Sequence, residues 1–192
     1  MPRMSRLSND DWRTLAEIAR HAITAAVRDK SIADLPPIPA SLTEHNGAFV
    51  SLYRGAQLRG CVGQVENSGT LADLVARVAI NAAMFDSRFP PISSREISEL
   101  KIEISILSEL KRMQPEDIVG GRHGILVVRG SNRGLLLPQV ATERNWSAQR
   151  LLEETCIKAG LPRDAWREAE TQIFGFTAEI YSEKELREVR GE

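Results

Sequence analysis

At 192 residues, 42% of them hydrophobic, the chain is long enough for one good-sized core or two small subdomains sharing an interface, and its composition is that of a soluble globular protein. Lys and Arg number 25 against 26 Asp and Glu, a formal net charge of -1, so there is no global basic excess of the kind that concentrates nucleic acid or an acidic membrane surface. No apolar run is long enough to span a bilayer, and the start, Met1 to Arg6 followed by Asn9, Asp10, Asp11 and Trp12, lacks the apolar core of a signal peptide, so the expected location is the cytoplasm. Two distant cysteines, Cys61 and Cys156, fit free thiols in a reducing compartment, and three histidines (His21, His45, His123) with no close Cys/His pair give no basis for a metal site.

In chain order, Ser8 precedes an acidic turn, and Leu15, Ile18, Ala19, Ala22 and Ala26 recur at helical spacing, which predicts an amphipathic helix over about residues 9 to 29. Residues 34–41 carry Pro36, Pro37 and Pro39 and should run extended as a connector. Gly47 to Tyr53 alternates, and Arg54-Gly55-Ala56 turns the chain, so residues 47–65 read as a β-hairpin. Gly69-Thr70 with Asp73 starts a second helix, striped by Leu71, Leu74, Val75, Val78, Ala79 and Ala82, which Phe85 to Pro91 must end. Ile102, Ile104 and Ile106 alternate with Glu103 and Ser105, predicting a strand over 101–108 that pairs with the hairpin. A short turn at 115–118 follows, then a second hairpin from Gly124 closing through Ser131 to Gly134 into Leu135-Leu136-Leu137. After a polar turn beyond Pro138, a helix opens at Trp146-Ser147 and stops at Gly160 and Pro162, with Cys156 on its apolar side as core packing. Gln172 to Tyr181 reads as one further strand with Phe174, Phe176, Ala178 and Ile180 on one face, and 183–192 as a charged, fraying tail.

This order predicts an α+β fold with mainly antiparallel sheet, in two lobes: a larger one of about 1–109 and 171–192 and a smaller one of about 110–170, with the cleft between them as the default ligand site. The candidate site centres on Leu58-Arg59-Gly60-Cys61-Val62-Gly63. In an extended strand Arg59, Cys61 and Gly63 share one face, so the Arg59 charge can sit beside the thiol and favour thiolate. Gly60 and Gly63 mark a bend or a place where something approaches the backbone closely. Asp86, Ser87 and Arg88 lie at a fixed bend suited to binding, and His123, between Gly121 and Gly124, lies where imidazole can act as acid, base or ligand. For each, the structural alternative of buried thiol, surface ion pair or ordinary surface histidine stays open at this point.

The same residues resemble the AMMECR domain family. The resemblance rests on Leu58 to Gly63, Asn81-Ala82-Ala83 followed by Asp86 to Pro91, the strand Ile102 to Ser108, His123-Gly124, and Leu136 to Ala141 with Trp146, in that order over nearly the whole chain. The chain looks like a prokaryotic member, the AmmeMemoRadiSam system protein A type. What the resemblance implies is a two-lobed α+β fold, a selection of Arg59, Cys61, Arg88 and His123 within the motif segments, and an association with a Memo-like protein and a radical-SAM protein. It supplies no reaction and no cofactor.

Three functions follow as expectations. In the first, a cleft around Cys61 binds and acts on a small anionic substrate, with Cys61 as nucleophile or thiolate ligand, Arg59 or Arg88 on the anion, and His123 or Glu103 handling protons. In the second, the protein is a non-catalytic accessory module docking the Memo-like and radical-SAM partners, or a ligand, through the glycine-rich strand and the Asp86 to Pro91 bend. Nucleic-acid binding ranks last, because no basic run or aromatic ladder stands out.

Overall fold

In the computed structural model, which describes residues 7–28, 42, 47–66 and 69–183, the elements run α1 (Asn9–Val27), β1 (Ala48–Arg54), β2 (Gln57–Gln64), α2 (Leu71–Met84), β3 (Leu100–Leu107), β4 (Lys111–Arg112), β5 (Gly124–Arg129), β6 (Asn132–Leu136), α3 (Pro138–Glu143), α4 (Ala148–Lys158), β7 (Gln172–Phe176) and β8 (Ala178–Ser182). The α+β expectation is met by two four-stranded sheets, ordered β2-β1-β3-β8 and β4-β7-β5-β6. The extended connector over 34–41 and the tail beyond Glu183 lie outside the described residues. No helix among the described residues is long and apolar enough to cross a membrane.

The chain divides into two compact units, one of residues up to Leu107 and from Glu179 onward, the other of Ser108–Ala178. In the first, Ser8 Oγ accepts from the Asp11 amide at 3.1 Å while the Asp11 carboxylate accepts from the Ser8 amide at 2.9 Å, a reciprocal capping box that satisfies two donors the helix start would otherwise orphan. Leu15, Ile18, Ala22 and Ile23 then fall on the buried side of α1. Thr70 caps α2, its Oγ1 accepting from the Asp73 amide at 3.1 Å. Both helices bury their stripes against the sheet face made by Ala48, Val50 and Leu52 of β1 and Ile102, Ile104 and Ile106 of β3, each large aliphatic side chain contributing roughly 1.5–3 kcal/mol by leaving water. Because strand side chains alternate, Phe49, Ser51, Tyr53 and Glu103 point to the opposite face. Trp12 stacks on Tyr181 with ring centroids 5.4 Å apart and holds α1 against β8.

In the second unit α4 buries Leu151, Leu152, Thr155 and Cys156, in one cluster with Ile125, Val127 and Ile173. Cys156 is fully buried, as its place on the apolar stripe requires.

Three expectations about elements change. The run Gln172 to Tyr181 is two strands. β7 pairs with β4 and β5 in the second sheet, whereas β8 joins β3 in the first. The break is at Thr177, whose amide donates to Ser108 Oγ at 2.9 Å and whose carbonyl accepts from the Ser108 amide at 2.8 Å. That pair separates the two ladders, and beyond it Tyr181 is buried while Ile180 is 42% exposed. The unit boundaries consequently fall at Ser108 and Glu179 instead of near 110 and 171. The second hairpin turns at Gly130-Ser131, where Gly130 has φ 59°, and not over Ser131 to Gly134. The left-handed conformation of a two-residue turn is open to glycine without penalty. Finally, the polar turn beyond Pro138 is the helix α3, begun by Pro138 at its first position, where a missing N–H costs nothing.

Candidate functional site

Among the described residues β2 is an edge strand whose one neighbouring strand is β1, and the register between them sets the site. Ser51 stands opposite Cys61, Leu52 opposite Gly60, and Tyr53 opposite Leu58. Arg59 therefore has no partner and forms a bulge, which breaks the strict alternation expected for this strand. The guanidinium does not join Cys61. Its Nε donates to Glu96 Oε1 at 2.8 Å and its Nη1 to the Pro90 carbonyl at 3.1 Å. That ion pair is mostly out of solvent, the two side chains 15% and 17% exposed. Arg59, together with the amide and hydroxyl of Ser93, holds the Glu96 carboxyl down at about 2.

Cys61 itself is a half-buried free thiol. Its outward backbone groups, which in an interior strand would meet a neighbour, meet two side chains. The Cys61 amide donates to Asp86 Oδ2 at 2.9 Å, and its carbonyl accepts from Arg88 Nη2 at 2.9 Å. Arg88 in turn grips Asp86 through Nε at 2.9 Å and Nη2 at 2.7 Å, and its amide reaches Oδ1 at 3.2 Å. Four donors thus fill the carboxylate, about as many as it can accept. The Arg88 guanidinium, ahead of the amides of Cys61 and Arg88, lowers the Asp86 carboxyl to about 2 against a desolvation that raises it. Arg88 is held charged first by Asp86 and additionally by Cys61. Since the Cys61 amide and carbonyl point away from β1, Ser51 and Cys61 form the closer kind of cross-strand pair. Ser51 Oγ donates to Cys61 Sγ at 3.3 Å. Glu103 follows opposite Ser51 on β3, giving a row Cys61, Ser51, Glu103 across three strands.

Packing accounts for both glycines. A Cβ at Gly60 would lie 2.0 Å from the carbonyl oxygen of Ala82, so the α2 backbone rests directly on the strand there. A Cβ at Gly63 would lie 2.1 Å from the Phe49 ring, which covers it on the Cys61 face. Beside the bulge, a shallow hollow of about 780 Å³ is lined by Leu58, Arg59, Phe89, Pro90, Pro91 and Glu96. Cys61, Asp86 and Arg88 are not in its lining.

Of the expected residues, the fold gathers Cys61, Asp86 and Arg88 into one contact set, with Glu103 two strands away. It sends Arg59 to Glu96 and leaves Ser87 exposed between Asp86 and Arg88. His123 belongs to the other unit, where its Nδ1 accepts from the Val119 amide at 3.1 Å. Burial, then the Arg122 charge, lowers its pKa. Ser51 and Glu96 were not anticipated. Ser51 was legible as the polar position of the alternation in β1, but a hairpin register was needed to set it against Cys61. Nothing local marks Glu96 as the partner of Arg59. Among the described residues no group of three or more His, Cys, Asp and Glu side chains could hold a metal ion.

The family model of AMMECR1 matches residues 16–181. The chain belongs to the AMMECR1 family. A relative from Methanothermobacter thermautotrophicus is 40% identical over 185 residues, covering 92% of this chain and 96% of its own length. One from Thermococcus kodakarensis is 38% identical over 188 residues, covering 91% and 92%. The crystal structure of an uncharacterised protein from Pyrococcus horikoshii superposes with a TM-score of 0.86 at 37% identity, over 92% of this chain and 93% of that one. The AMMECR1 membership and the α+β architecture expected from the sequence are therefore both met.

Proposed function

We propose that the Cys61 strand is a thiol site for a small anionic substrate, with the sulfur as nucleophile or thiolate ligand and the Arg88 guanidinium as the anion contact. One observation carries this reading: Cys61, a half-buried free thiol, has its carbonyl gripped at 2.9 Å by a guanidinium that is itself 57% exposed. Arg88 spends Nε and Nη2 on Asp86 and Cys61, leaving Nη1 for a ligand oxygen. In this reading the Ser51 hydroxyl turns from donor to acceptor, takes the thiol proton and passes its own to Glu103, and His123 stays outside it, engaged in its own loop. The test uses inorganic phosphate and succinate as probes of anion binding. Each should slow alkylation of Cys61 by iodoacetamide in the wild type and not in Arg88→Ala. Equal labelling rates with and without the anions, in both proteins, contradict the reading.

A second reading is favoured by a different observation. The described hydrogen-bond partner of the Cys61 sulfur is a hydroxyl, which is not a base, and Phe85, at the end of α2 next to Asp86, is 73% exposed. On that reading the protein is a cytoplasmic accessory module of the AmmeMemoRadiSam type, and the Phe85 to Pro91 segment docks Memo-like and radical-SAM partners. A Cys61→Ala protein that still binds them in a pull-down supports the accessory role. One that folds and has lost them supports the thiol site.

A further inference from the structure

The side chain that most constrains Cys61 never touches its sulfur. Asp86 is 9% exposed and aims its carboxylate at an edge strand, where it receives the Cys61 amide and both the Nε and Nη2 of Arg88. The Arg88 fork then returns to the Cys61 carbonyl. Carboxylate and guanidinium together occupy the two backbone groups that a neighbouring strand would occupy, and a two-pronged pair of this kind fixes the orientation of the fork as well as its position. An exposed arginine without such a partner samples many rotamers and spreads its charge through solvent.

Resting on the thiol-site reading above, we infer that Asp86 is the positioning residue of the Cys61 site. It fixes the strand through the amide and holds the Arg88 charge where an anion approaching the sulfur meets it. The role differs from that of a ligand-binding carboxylate, because every acceptor position of Asp86 is already filled from within the fold. It also differs from simple neutralisation, and the two have opposite consequences. If Asp86 merely cancels the Arg88 charge, removing its own charge makes the site more attractive to anions. If it positions Arg88, removing it makes the site less attractive.

The experiment compares alkylation of Cys61 by anionic iodoacetate and neutral iodoacetamide, read by peptide mass spectrometry. Both reagents consume the same thiolate, so the ratio of their rates is independent of the thiolate fraction and reports the potential met by an anion. Arg88→Ala should lower the ratio about fivefold, the effect of one unit charge near the reagent across water. Asp86→Asn, which keeps size and one acceptor oxygen, should lower it in the same direction. A ratio that rises or stays at the wild-type value in D86N overturns the positioning role and leaves the thiol site standing. A wild-type Cys61 inert to both reagents overturns the thiol site and this inference with it. Circular dichroism and the fluorescence of Trp12, buried in the first unit against Tyr181, are the control for folding. Should D86N fail that control, Arg88→Lys replaces that variant, keeping the charge without the fork. An R88K ratio between those of R88A and wild type supports the inference, and a wild-type ratio overturns it.

Discussion

Substituting Gly60 by alanine tests how closely the candidate strand is built into the first unit. The added Cβ would stand 2.0 Å from the Ala82 carbonyl oxygen and 3.0 Å from its carbon. A carbon and a carbonyl oxygen in ordinary contact are about 3.3 Å apart, so strand and helix must part by roughly 1.3 Å. The obstacle is backbone in the last turn of α2, anchored by Val78, Ala79, Ala82 and Ala83 in the core, and cannot turn aside as a side chain would. Overpacking of this kind costs typically 1–3 kcal/mol, and we expect about 3. With a urea dependence of about 2 kcal/mol per molar, the midpoint falls by about 1.5 M. Gly63→Ala is the internal comparison. Its Cβ meets the Phe49 ring at 2.1 Å, but the ring can swing at a cost of about 1 kcal/mol, for a midpoint loss of about 0.5 M. Urea unfolding followed by circular dichroism measures both. Midpoints for the two variants within about 0.3 M of each other would refute the argument that the helix backbone, and not side-chain crowding, dictates glycine at position 60.

Further outcomes follow from the ionised groups. Asp86 and Glu96 both titrate at about 2 in the fold, below their ordinary 3.8 and 4.5. A carboxylate depressed by folding adds stability that is complete above its unfolded pKa and is lost as pH falls through the folded value. The first unit should therefore weaken from about pH 4.5 downward to about 2, and Glu96→Gln should flatten that limb more than D86N. Arg88 is 57% exposed, so solvent screens the Asp86 pair more than the enclosed Arg59 pair. Equal acid limbs in the two variants would contradict this ranking. His123 has a lowered pKa, so its share of stability is complete above about pH 6.5 and is lost as pH falls toward the folded value. Protonation turns Nδ1 from acceptor to donor. Exchange of the Val119 amide, corrected for its intrinsic rate, should accelerate between pH 7 and 5 by at least about threefold, and not in His123→Ala. Arg20 donates to the Leu100 carbonyl at 2.9 Å and Glu183 accepts from the Ile102 amide at 3.1 Å, while the two side chains pair with each other. Arg20→Ala should lower stability by about 1 kcal/mol after allowance for screening, a few degrees in thermal midpoint, and an unshifted midpoint would remove the pair from the account.

Much of this fold was legible because its signals are local. Ser8 with Asp11, and Thr70 with Asp73, mark helix starts through contacts three residues apart. The isoleucines of β3 alternate because one face is buried. What could not be read depends on partners distant in the chain. The break at Thr177 is bridged by Ser108, 69 residues away, and the alternating pattern from Gln172 to Tyr181 carries no mark of which sheet each half joins. The site divides along the same line. The segment Asp86 to Arg88 was recognisable as a fixed bend, and Cys61 as an unusual strand cysteine. The exchange of arginines was not recognisable, because the bulge at Arg59 arises from the register of β1 against β2 and diverts that side chain to Glu96. Arg88, 27 residues beyond Cys61, takes the position that alternation had assigned to Arg59.

The central claim, an accessible thiol at Cys61 governed by Arg88, is met most directly by native labelling with site-resolved mass spectrometry. Folded wild-type protein treated with iodoacetamide at neutral pH should carry one adduct, on Cys61, while Cys156, fully buried and with its pKa raised by desolvation, stays unmodified until urea unfolds the second unit. Added inorganic phosphate should slow that labelling in the wild type and not in Arg88→Ala, as an anion held by the guanidinium at the Cys61 strand requires. Labelling confined to unfolded protein, or phosphate without effect in both proteins, would contradict the account.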